Sequence, residues 1–181
     1  MPFGTYQSNP DKALKSAIRI MKESGAHAVK LEGGKEVSES ISKIINAGIP
    51  VMGHLGLTPQ SIYKFGTYNV RGKNKIEADQ LIEDAQSLEK LGCFSTVLEK
   101  IPHKLSEEIS KKTKFPLIGI GAGNNVDGQV LVIHDLIGLT NEFNPRFIRR
   151  YLDLNSSIKS AVSQFIKDVK SSDFPSKDEM Y

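Results

Sequence analysis

The sequence predicts an α/β fold on parallel strands, and two observations carry that prediction. Short apolar runs of strand character alternate with segments of helical periodicity, as in βα units joined by right-handed crossovers. Polar residues also stand at the C-terminal ends of several different runs: Lys30 and Glu32, His54, Glu99, then the GAGNN of 121–125. Such residues converging from separate strand ends mark the active face of a (β/α)8 barrel. A doubly wound open sheet is the competing architecture. It is the weaker one, because no G-x-G-x-x-G follows a strand and Gly119, Gly121 and Gly123 make only G-x-G-x-G.

The elements follow in order. Asn9 and Pro10 cap and open a helix over 11–23. A strand over 26–32 (AHAVKLE) precedes a helix over 35–47, with Ile41, Ile44 and Ile45 at helical spacing. The next strand, 49–54 (IPVMGH), runs into a stretch over 56–73 that shows no helical pattern. Loops of that length in a compact chain are uncommon and usually functional or disordered. A helix over 76–91 carries Leu81, Ala85, Leu88 and Leu91 on one face. Strand 93–99 (CFSTVLE), a helix over 104–112, strand 116–120 (PLIGI) and a Gly-rich loop come next. The segment 129–133 reads as a fifth strand or as a helix. Ser156 or Ser157 opens a last helix that runs to about residue 170, and 171–181 is a polar, fraying tail. Gly25, Gly48 and Gly92 each sit where a helix C-cap precedes a strand. The apolar strands suit a sheet covered on both faces. One catalytic domain over 1–170 is expected, but its barrel does not close: such barrels have eight strands and about 250 residues.

Composition narrows the function. The 181 residues are 39% hydrophobic and 25% charged, the profile of a globular protein. A net charge of +3, scattered along the chain and without aromatic interleaving, argues against a nucleic-acid partner. No run reaches the length of a membrane span. The single cysteine, Cys93, excludes an internal disulfide framework and fits a reducing, cytoplasmic setting.

Lys30 and Glu32 alternate along one strand and therefore share a face, as a structural ion pair or as a functional one. Glu99 ends an apolar run, where desolvation would suit it to general-base work and a capping role is the alternative. His54 could bind metal, shuttle protons or bond a backbone carbonyl. The four histidines show no zinc spacing, and an oxygen ligand such as Glu32 suits Mg²⁺ better. The segment 119–128 (GIGAGNNVDG) is either an anion wrap or a turn that only Gly can make. Cys93, at the far end of its strand, is read as packing.

Four segments together carry a resemblance: VKLEGG at 29–34, VMGHLGLTPQS at 51–61, VLEKIP at 97–102 and IGIGAGNNVDGQVLVIHDLIGL at 118–139. In this order they resemble the ketopantoate hydroxymethyltransferase family, over residues 1 to about 166. The resemblance implies a TIM barrel of the phosphoenolpyruvate/pyruvate-binding superfamily. It implies transfer of a hydroxymethyl group from 5,10-methylenetetrahydrofolate to 3-methyl-2-oxobutanoate, giving 2-dehydropantoate for pantothenate synthesis. It implies Mg²⁺ held by two Asp with a Glu beside them, and a homo-oligomer, commonly a decamer. Residue by residue, Glu32 matches the metal-side Glu, Lys30 the lysine that contacts the keto acid, and Glu99 the catalytic base. His54 stands at the same mouth as a supporting residue.

The family pattern places a metal-binding Asp directly before the segment MPFGTYQ, which here begins the chain. The resemblance therefore implies an N-terminally truncated barrel lacking its first strands and both metal-binding Asp residues. Such a chain is expected to be inactive alone, or to depend on a partner. A Mg²⁺-dependent keto-acid lyase of the same superfamily, needing no folate, is the alternative enzyme.

Overall fold

The computed structural model describes residues 1–140, 142 and 144–181. The chain divides into two compact units, Met1–Val130 and Leu131–Tyr181.

The first unit opens with α1 (Pro10–Ser24), capped by the Asn9 side chain, which accepts from the Asp11 and Lys12 N–H groups, and closed by Gly25 in the left-handed region. Then follow β1 (Val29–Lys30), a 3₁₀ turn over Lys35–Val37, α2 (Ser38–Asn46) and β2 (Val51–Gly56). The long loop is not structureless: it contains a 3₁₀ turn, Pro59–Ser61, and a one-turn helix, α3 (Ile62–Phe65). These pieces are too short to show periodicity, so the expectation of no helix there is corrected. Next come α4 (Lys75–Leu91), capped by Asn74, then β3 (Ser95–Glu99), α5 (His103–Lys112), β4 (Leu117–Ile120) and β5 (Gly128–Gln129). The ambiguous 129–133 segment is thus divided: β5 takes its first residue, and a short helix begins at Ile133.

All five strands are parallel, in the spatial order β1-β2-β3-β4-β5. A doubly wound sheet reverses its order at a switch point; this one never does within its five strands. Crossovers of one hand that always step in one direction return every helix to the same face. The core shows it. Val29, Leu31, Val51, Leu55, Leu98 and Leu117 share one cluster with Ala13, Ala17, Ile41, Ile44, Leu88 and Ile109 from the helices. The opposite face presents Lys30, Met52, His54, Val97, Glu99, Ile118 and Ile120, aligned by the registers His54↔Val97↔Ile118 and Gly56↔Glu99↔Ile120. The helices therefore cover one face of the sheet, and the charged residues stand on the other.

The ladder of β1 is two residues long, shorter than the apolar run, yet its backbone tracks β2 further. The Leu31 N–H donates to the Met52 carbonyl (3.1 Å) and the Gly33 N–H to that of His54 (3.1 Å). That extension brings Glu32 beside His54.

The second unit holds α6 (Ile133–Leu136), α7 (Leu154–Ser171) and a 3₁₀ turn over Lys177–Glu179. The cap of α7 is Asp153, whose carboxylate accepts from the Ser156 N–H, rather than Ser156 or Ser157. The tail is not wholly frayed: Phe174 meets Phe165 edge-on at 5.4 Å, and Ser176 with Glu179 forms a capping box. No described helix is long and apolar enough to cross a membrane.

Candidate active site

Three strands deliver three side chains to one point. His54, on β2, is 2% exposed, with Nε2 3.1 Å from Glu99 Oε2 at the end of β3 and Nδ1 3.6 Å from Glu32 Oε1 just past β1. Neither contact has hydrogen-bond alignment, so the imidazole is held by charge and packing between two carboxylates. Burial alone would lower the His54 pKa; Glu32 and Glu99 outweigh it and raise it. Burial likewise pushes the Glu32 carboxyl up, but His54 and a backbone N–H hold it below its usual value. Both shifts favour the charged form of the group concerned, so protonation of His54 is assisted by the acidic side chains on either side of it.

Glu32 is anchored by residues that the sequence reading did not single out. The Gln60 N–H donates to Glu32 Oε2 at 2.9 Å. The Tyr6 hydroxyl accepts from the Glu32 N–H at 3.0 Å and donates to Gln60 Oε1 at 2.9 Å. Tyr6 is 1% exposed, and burial lifts its phenol to about 12, so it is a fixed neutral donor. The signal for Tyr6 was faint, since it precedes any periodic element. Gln60 lies inside the TPQS of the resembling segment, but its backbone role has no sequence signature.

Lys30 shares the face of Glu32, as alternation requires, and its charge helps to lower the Glu32 pKa. The two make no ion pair within 4 Å; the pairing of Glu32 is with His54 instead. Lys30 stands exposed, its ammonium uncommitted among the described residues.

The end of β3 is tightly packed. Gly56 lies so close to Glu99 that an added Cβ would sit 2.2 Å from the Glu99 carbonyl oxygen, and the Leu57 N–H donates to that oxygen at 2.8 Å. Lys100 turns the chain with a left-handed φ of 50°. Its carbonyl accepts from the Arg71 N–H at 3.0 Å, which ties the far end of the long loop to the Glu99 strand. The 119–128 segment behaves as the turn reading expects: a Cβ on Gly123 would stand 2.4 Å from that of His103. Cys93 is buried, its thiol lifted to about 11 by desolvation, as a packing residue should be.

Among the described residues no group of three His, Cys, Asp or Glu is arranged to hold a metal ion. Glu32 is one carboxylate, and its oxygens already face His54 and the Gln60 N–H. These residues alone do not make a Mg²⁺ site.

A family model described as ketopantoate hydroxymethyltransferase matches residues 1–177. The chain belongs to the ketopantoate hydroxymethyltransferase family. Its similarity to curated family members is high. It is 68% identical to the 3-methyl-2-oxobutanoate hydroxymethyltransferase of Flavobacterium johnsoniae, 66% to that of Christiangramia forsetii and 62% to that of Cytophaga hutchinsonii. In each case the match covers 100% of this chain and 66% of the relative, so the chain spans a little under two thirds of these hydroxymethyltransferases.

Proposed function

We propose that this chain carries the proton-abstracting part of a hydroxymethyltransferase site, within a barrel that closes as (β/α)8. The reaction is transfer of a one-carbon unit from 5,10-methylenetetrahydrofolate to 3-methyl-2-oxobutanoate. The observation that supports it is His54 bridging Glu32 and Glu99 on the helix-free face, at the C-terminal ends of three adjacent parallel strands. In this reading water takes the methylene off both folate nitrogens as formaldehyde, leaving tetrahydrofolate, and Glu99 removes the C3 proton of the keto acid. The resulting enolate forms its new C–C bond to the formaldehyde carbon, and the aldehyde oxygen takes up a proton to become the hydroxyl. Lys30, uncommitted on the same face, binds the substrate carboxylate. His54, as imidazolium, orients Glu99 and keeps the two carboxylates from repelling each other. No step is assigned to Mg²⁺, because Glu32 is a single carboxylate whose oxygens are already engaged.

The test uses a chain with the full length of the relatives. Glu99→Gln should cut solvent-deuterium exchange at C3 of 3-methyl-2-oxobutanoate by roughly 10²–10⁴, the usual worth of a general base, while keto-acid binding persists. Exchange at the unmodified rate would remove Glu99 from the base role. Turnover that needs no folate would replace hydroxymethyl transfer by lyase chemistry.

A further inference from the structure

A recess of about 460 Å³ opens between the ends of β1 and β2 and the first half of α4, bordered by the long loop. That volume lies within the range of small-molecule sites. Leu55 and Leu81 supply apolar surface and Phe65 an aromatic ring. The Arg71 guanidinium stacks over that ring, 4.1 Å from its centroid, and pairs with Glu77, so this border is built rather than loose.

The charges around the recess are unequally committed. Glu77 accepts from the Gly72 N–H at 2.7 Å in addition to holding Arg71. Asp84 accepts from the Lys35 N–H at 3.0 Å and the Gln80 amide at 3.2 Å, and Glu36 from the Gly34 N–H at 3.2 Å. Burial also raises the Asp84 pKa, which weakens its hold on negative charge. The Lys35 and Lys64 ammonium groups, by contrast, have no ion pair or hydrogen bond among the described residues. An apolar floor, an aromatic edge and two uncommitted cations form the complement of a flat organic anion.

We propose that this recess is a binding site for an aromatic acid, an aryl ring whose carboxylate is attached directly or through an amide-linked side chain, with Lys35 and Lys64 holding the anion and Leu55, Leu81 and Phe65 the ring. The site adjoins the carboxylate cluster: Gly33 and Gly34 follow Glu32, and Gly56 pairs in register with Glu99. Two sources share this chemistry. One is the aminobenzoylglutamate tail of the folate, an assignment that rests on the proposed transfer reaction; the other is an independent aromatic acid.

The 181-residue protein can be titrated with p-aminobenzoyl-L-glutamate, benzoate and the neutral 4-aminobenzamide, followed by amide chemical shifts. The glutamate conjugate should shift Gly34, Lys35 and Lys64 saturably. The Lys35→Glu/Lys64→Glu double variant should weaken it at least about tenfold, the loss expected from about 1.4 kcal/mol of charge contact. Tighter binding of the conjugate than of benzoate assigns the folate tail, and equal binding assigns an independent acid. No saturable shift at these residues, unchanged affinity in the double variant, or equal binding of 4-aminobenzamide would overturn the site. The readout involves no turnover, so its failure and the failure of the transferase reading are separate results.

Discussion

α4 and α7 are close in length, 17 and 18 residues, and both are amphipathic, yet they end differently. α4 buries Leu81, Ile82, Asp84, Ala85 and Leu88, whereas α7 buries none of its residues. Ile158, Val162, Phe165, Ile166 and Val169 form an apolar stripe on α7, and each is more than 40% exposed. Spacing reports the capacity of a helix to bury a face; burial itself needs a partner surface. In the first unit that partner is the sheet, and every residue of the core cluster lies between Tyr6 and Ala122. The contrast teaches that stability in this chain should be concentrated where strands are.

The largest effect that sharpens this contrast is expected at Leu98, fully buried on β3. Leu98→Ala should cost about 2–5 kcal/mol in urea unfolding, the range for emptying a well-packed leucine site. A loss under about 1 kcal/mol would mean that the sheet is not the stabilising centre.

A smaller, pH-dependent effect belongs to the carboxylate-flanked imidazole. His54 has its folded-state pKa raised above 6.5, so its contribution is complete below that value and is lost as pH rises through the higher folded value. Glu32 is lowered from 4.5, so its contribution is present above that value and is lost as pH falls through the lower folded value. Stability should therefore be best between these limits and decline on the alkaline side. His54→Gln should remove the alkaline decline in urea midpoints recorded from about pH 5 to about pH 9. An identical slope in the variant would place the titrating group elsewhere.

The smallest effect is expected on α7. Val162, 51% exposed, should tolerate Ser with a change within about 0.5 kcal/mol. A cost approaching that of Leu98→Ala would break the comparison, because it would show the stripe to be covered in solution.

Much of the fold was readable where the physics is local. Asn9-Pro10 announces α1 through cap chemistry, and the 3.6-residue period of 76–91 announces α4 to within one residue. The one-face placement of Lys30 and Glu32 follows from alternation alone. What escaped is non-local or too short for periodicity. Nothing near His54 says that Gly56 will align with Glu99, since parallel register is set by helices on the far face. The Lys30–Glu32 pair, plausible from spacing, gives way to Glu32–His54 because β1 continues alongside β2 beyond its formal end. Asp153 rather than Ser156 caps α7, and the two lie close enough in sequence for either to have done so.

One anchor of the cluster lies on the main chain. The donor that fixes Glu32 Oε2 is the peptide N–H of Gln60, within the 3₁₀ turn Pro59–Ser61. Alanine scanning would remove the Gln60 amide and its bond from Tyr6 but leave that donor in place, so the importance of the position would be underread. Only a residue without an N–H, proline, interrogates it. For a carboxylate cluster held in this way, tolerance of side-chain replacement is a poor guide to how much of the chain its geometry depends on.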